Sequence, residues 1–159
     1  MPTLFFIAIS FLYSSNFQTD QYKNYCNARF DFCVKFPKDF QKQPEPENGD
    51  GASFVSQDKK SNILAFGRLA VEDLDRIEQE FEISSKDIKL TYRMVKDNWF
   101  IFSGLDLKGN IVYQKTTKKK IIYFGNPGTD VFQTLIITYP SDQTKKLEPY
   151  CKVISKSLQ

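Results

Sequence analysis

The sequence predicts an α+β fold: a mostly antiparallel sheet of six to eight strands covered by helices, forming an α/β/α sandwich. Three observations lead there. Short segments with two-residue apolar alternation recur along the 159 residues, parted by turn-forming clusters, as in successive antiparallel strands. Two other stretches repeat apolar residues at three- and four-residue steps, the spacing of a helix with one buried stripe. Finally, residues 99–105 are apolar on both alternating sets, so that strand is central and covered on both sides.

The chain opens on a segment of a different kind. Residues 1–15 carry no charged side chain and are rich in Leu, Phe and Ile. Such a block is shorter than the ~20 residues of an ordinary membrane span and matches the apolar core of a secretory signal. The expected organisation is therefore a signal peptide at 1–15, a polar linker at 16–27 and a single α+β domain at 28–159. Ala8-Ile9-Ser10 has the small-x-small pattern of a cleavage site but would leave a very short apolar region. A cut near Ser14 or Ser15 fits the length better and that pattern worse. After processing, no transmembrane span is expected.

Within the domain, residues 28–36 set Phe30, Phe32, Val34 and Phe36 against Arg29, Asp31, Cys33 and Lys35, and Pro37 ends the strand. Asn48-Gly49-Asp50-Gly51 supplies residues that tolerate positive φ, a turn into the next strand. The nearby acids lack the spacing of a calcium loop. Strands at 52–56 and 62–68 follow, joined across Asp58-Lys59-Lys60-Ser61. A helix is predicted over 71–82. Ala70, Leu74, Ile77 and Phe81 form its apolar stripe, while Glu72, Asp73, Asp75, Glu78, Glu80 and Glu82 form an acidic face turned to solvent.

The remainder reads as strands at 88–95, 99–105, 111–114, 120–124 and 131–139. Asp97-Asn98, Lys108-Gly109-Asn110 and Gly125-Asn126-Pro127-Gly128 supply turns. Pro140 ends the last strand, and Ser141 or Asp142 caps a terminal helix over 143–158. Its stripe is Leu147, Tyr150, Cys151, Ile154 and Leu158.

Composition narrows the chemistry. Fifteen Phe and eight Tyr make an aromatic core, read as packed rather than as a ligand cavity. A net charge of +3 is too mild for a nucleic-acid footprint. With no histidine in the chain, neither a His-based metal site nor a His general base can form, and no metal ligand or cofactor is expected. Metalloprotease, nucleophile-elbow and phosphate-loop motifs are absent from the sequence. A hydrolase would have to rely on a carboxylate pair.

Three cysteines allow one disulfide and one thiol. Cys33 falls on the polar side of its strand, Cys151 points inward from the terminal helix, and Cys26 precedes the first strand. The expected pair is Cys26–Cys151, joining the two ends of the domain. A loop of that length would contribute up to ~4–5 kcal/mol in the chain-entropy model. The alternative is three separate thiols. Lys115, Lys118, Lys119 and Lys120 are read as a basic hairpin tip able to attract anionic lipid headgroups or envelope polymers, or simply as a solvated loop guarding against edge pairing.

Three passages carry a family resemblance. They are Tyr25-x-Asn27-x-Arg29-Phe30-x-Phe32-x-Val34-x-Phe36-Pro37, then Asn48-Gly49-Asp50-Gly51-x-x-Phe54-x-Ser56. The third is Tyr139-Pro140 before a helix bearing Tyr150, Ile154, Ser155, Ser157 and Leu158. The pattern resembles the Mog1/PsbP-like superfamily, including exported bacterial proteins that open with the same aromatic strand. Asp31 stands where the look-alikes carry Gly. The resemblance implies a non-enzymatic scaffold used for binding or for stabilising assemblies, with no catalytic residue to transfer. The expected function is an exported accessory or binding protein of the bacterial cell envelope, periplasmic or extracellular. Its partner would be an envelope protein or an anionic envelope component. The competing readings are the carboxylate-pair hydrolase and a cytosolic partner-binding adaptor whose opening segment is structural.

Overall fold

A computed structural model describes residues 21–71 and 75–158. The expected signal peptide, the first five residues of the linker and Glu72, Asp73 and Leu74 lie outside the described residues. The chain runs through β1 (Tyr22–Asn27), β2 (Phe32–Pro37), β3 (Gln41–Lys42), β4 (Gly51–Val55) and β5 (Asn62–Leu69). It continues through α1 (Ile77–Ser85), β6 (Lys89–Lys96), β7 (Trp99–Leu105), β8 (Asn110–Tyr123) and β9 (Asn126–Pro140). A short 3-10 turn over Ser141–Gln143 leads into α2 (Thr144–Ser157).

Seven strands form one antiparallel sheet in the order β3-β4-β5-β9-β8-β7-β6, and β1 and β2 form a separate ribbon. After β5 the chain crosses to the far edge through α1, then walks back strand by strand until β9 meets β5. The two faces are covered by different elements. On one, α1 sets Ile77 and Phe81 against Phe100, Phe102, Val112 and Phe132. On the other, the ribbon and α2 bring Phe32, Val34, Phe36, Leu147 and Ile154 onto Phe54, Ile63, Leu135 and Ile137. Helix, sheet and helix make the α/β/α sandwich.

The first predicted strand is two elements. Residues 28–31 form a turn, and Asp31 adopts φ of 50°, a conformation that explains why glycine suits this position. Phe30 drops from that turn onto the sheet over Gly67, where an added Cβ would come within 2.3 Å of the Phe30 side chain. The buried Gln133 side chain fixes the turn by donating to Phe30 O (2.8 Å) and Asp31 O (2.9 Å). The end of the expected linker is therefore strand β1. Its polar residues point outward while Tyr25 and Asn27 are buried, a pattern that a two-stranded ribbon tolerates on its outer side.

This overturns the expected disulfide. In the ribbon Cys26 sits directly opposite Cys33, with Cα atoms 4.1 Å apart, and these two are bonded. Cys151 is a free, buried thiol. A bridge spanning a sequence separation of 7 constrains the unfolded chain by only about 2 kcal/mol in the entropy model.

Two further boundaries move. The internal helix begins at Ile77 rather than 71, because the Asp75 carboxylate accepts the Val71 N–H (2.8 Å) and the Arg68 guanidinium (2.9 Å). Those bonds commit Asp75 to partners ahead of the helix. The expected strands 111–114 and 120–124 are one strand, β8, paired with β9 along its length. Its reversal is at Phe124-Gly125, with φ of 46° and 82°, the two positive values of a tight hairpin turn.

Candidate functional site

The four lysines read as a hairpin tip do not share a surface. All lie inside β8, where alternation sends neighbours to opposite faces. Lys115 is half-buried on the α2 side and donates to Ser155 O (2.7 Å) and Leu158 O (3.3 Å), neutralising the carbonyl end of that helix. Burial lowers its pKa. Lys118, on the α1 side, donates to Asp75 O (2.9 Å). Lys119 pairs with Asp31 (3.5 Å) and Lys120 with Asp130 (3.2 Å). Each ammonium is spent on a local partner.

A concave site lies elsewhere, beside α2. α2 packs beside β2 of the ribbon and over β9 and β8 of the sheet, and leaves β6 and β7 uncovered on that face. Tyr92 of β6 remains 49% exposed and Met94 39%. Between this bare strip and the side of α2 runs a groove of about 860 Å³, within the ~300–1,000 Å³ typical of small-molecule sites. Ile101 and Ser103 of β7, Ile111 and Tyr113 of β8 and Tyr139 of β9 line its sheet side. Thr91 and Tyr92 form the outer rim at the sheet edge.

The opposite wall is α2. Cys151 and Ser155 are buried at its base. Above them Lys145, Glu148, Lys152 and Lys156 form one exposed row at steps of three, four and four, the spacing that places helical residues on one side. Pro149, inside α2, also lines the groove. It cannot donate a backbone N–H to the Lys145 carbonyl.

The groove's titratable floor is held neutral. Burial pushes the Cys151 thiol up to about 11, assisted by the charge of Glu148, and burial likewise raises the Tyr139 hydroxyl beside it. A thiol in that state is a small apolar surface rather than a nucleophile. On the opposite face the carboxylates of Asp75 and Glu80 both engage Arg68, whose guanidinium stacks over Phe132 at 4.4 Å. That cluster locks α1 to the sheet. Among the described residues, no group of three His, Cys, Asp or Glu is placed to hold a metal ion, and no helix is long and apolar enough to cross a membrane.

The sheet order, the aromatic ribbon and the terminal helix on one face define the Mog1/PsbP-like fold. A solved structure shares this fold. The chain aligns with cyanobacterial PsbP (CyanoP) from Synechocystis sp. PCC 6803 at a TM-score of 0.59 and 10% identity, covering 91% of this chain and 95% of that one. It also aligns with LpqN of Mycobacterium tuberculosis, described as involved in cell envelope biogenesis, at a TM-score of 0.48 and 14% identity, covering 89% and 86%. No protein-family model matches the chain, and no curated protein sequence does.

Proposed function

We propose that this chain is an exported, non-enzymatic accessory protein of the bacterial cell envelope, and that it works by holding an apolar or amphipathic ligand between α2 and strands β6–β8. The observation that carries the binding half is the groove itself, an apolar concavity with hydroxyls at Ser103, Tyr113 and Ser155 and no side chain filling it. The export half is supported by the uncharged opening segment and by the Cys26–Cys33 disulfide, a bond that persists in oxidising compartments. The high thiol pKa of Cys151 and the engagement of Asp75 and Glu80 with Arg68 favour binding over catalysis.

The binding half is tested with the neutral fluorophore N-phenyl-1-naphthylamine. Its emission is expected to rise and saturate on the wild-type protein. It should fall back in Ser103→Trp, which fills the floor, and in Thr91→Trp, which blocks the rim without entering the core. No enhancement with wild type, or equal enhancement with both folded variants, overturns the reading. Mass spectrometry of the protein recovered from cells tests the export half. A shortened N terminus in the extracytoplasmic fraction is expected, and an intact Met1 in the cytosol would overturn it.

A further inference from the structure

We infer that the occupant of the groove is a single-chain anionic amphiphile, its acyl chain lying on Ile101, Ile111 and Tyr113 and its head held by Lys152 and Lys156. This rests on the binding reading above and names the ligand class. Three of the four charged residues in the groove-facing row of α2 are lysines, with Glu148 the one acid among them. Among the described residues, Lys145, Lys152 and Lys156 take part in no ion pair. Lys146, on another side of the same helix, reaches Asp39 at 3.8 Å, and Lys118, Lys119 and Lys120 of β8 are all engaged. Three lysines without an acidic partner thus stand along one wall of an apolar trough.

The pairing of these two surfaces selects a molecule with the same two parts. A lysine stem lies along apolar surface while its ammonium stays at the water boundary. An acyl chain packed on the floor therefore brings its head to the level of the ammonium groups. A neutral head would gain nothing from the row, and a cationic head would be repelled. No arginine lines the groove, so there is no planar fork to prefer a carboxylate over a phosphate. Free fatty acids and lysophospholipids with an anionic head share the required chemistry.

The test compares dodecyl phosphate, dodecyl maltoside and dodecyltrimethylammonium, each below its micelle concentration, by calorimetric titration of the full chain. Dodecyl phosphate is expected to bind tightest and to weaken as salt rises. The double variant Lys152→Glu/Lys156→Glu should lose about tenfold in affinity for it while binding dodecyl maltoside within twofold of wild type. Palmitate and palmitoyl-lysophosphatidylglycerol then separate the two sources of the head, the tighter one assigning it. Equal affinity for the three dodecyl ligands, or an unchanged anion affinity in the double variant, overturns the inference while leaving the groove as a binding site. Failure of every amphiphile and of the neutral fluorophore overturns the binding reading instead.

Discussion

The two faces of the sheet are built on different principles. On the ribbon side, nineteen buried apolar side chains form one continuous cluster, drawn from β1, β2, α2 and their flanking residues against the four strands β4, β5, β8 and β9. Phe54 sits at its centre, wholly buried, stacked on Phe36 at 4.1 Å between ring centroids and edge-on to Tyr25 at 5.6 Å. On the α1 side, six apolar residues do the equivalent work, beside a buried polar strip. There Thr116 and Thr134 share a hydrogen bond at 3.1 Å and the Gln114 amide donates to Thr116 at the same distance. The covers are also offset diagonally. The ribbon and α2 sit over the β4–β5–β9 half, whereas α1 sits over the β6–β7 edge. On the α1 face this leaves Val55, Leu64 and Phe66 half-exposed, and on the other it leaves the groove. A sheet too wide for either cover is what creates the concavity, so the thick face supplies stability and its uncovered margin supplies the site.

That contrast can be broken experimentally. Phe54→Ala is expected to cost about 4–5 kcal/mol and Phe81→Ala, at the margin of the thinner face, about 3. Urea denaturation of both variants decides it, and an equal or larger loss at Phe81 would mean the α1 face carries the greater share. A smaller effect sharpens the same picture. Asp58, in the β4–β5 turn, accepts from Ser56 Oγ (2.6 Å), the Lys60 N–H (3.1 Å) and Gln143 Nε2 (2.8 Å), tying that turn to the start of α2. These bonds lower its pKa to about 2. Because the folded value lies below the usual one, the stabilisation is complete above the ordinary carboxylate range and is lost as pH falls through about 2. Asp58→Asn should therefore melt slightly below wild type at pH 6, with the gap closing toward pH 2. A gap independent of pH would detach Asp58 from the hold on α2.

Much of this architecture is legible in the sequence because it is local. The alternation at 62–68 and 99–105 and the stripe ending at Leu158 need no knowledge of distant residues, and they correspond to β5, β7 and α2. The failures share a cause too. Tyr22–Asn27 looks like a linker because an outer ribbon strand buries only two of its side chains, and missing that strand hides the opposition of Cys26 and Cys33. The lysines of β8 conceal a long central strand, since long amphipathic side chains occupy half-buried strand positions as readily as loops. The groove is the least legible feature. Ile101, Ile111 and Tyr113 have ordinary core signatures, and only the placement of α2 relative to the sheet leaves them lining a trough. The row Lys145, Lys152 and Lys156 goes unread, since nothing in the sequence says what that side of the helix faces.

The long β8–β9 pair also bears on the order of assembly. Its strands, of 14 and 15 residues, meet across the Phe124-Gly125 reversal, so zipping begins with almost no loop to close. The ribbon and α2, by contrast, come from opposite ends of the described chain and must each travel to reach the other. The middle of the molecule can thus raise a platform on which the two ends later settle. Pulsed hydrogen exchange during refolding should find the amides of β8 and β9 protected before those of β1 and α2.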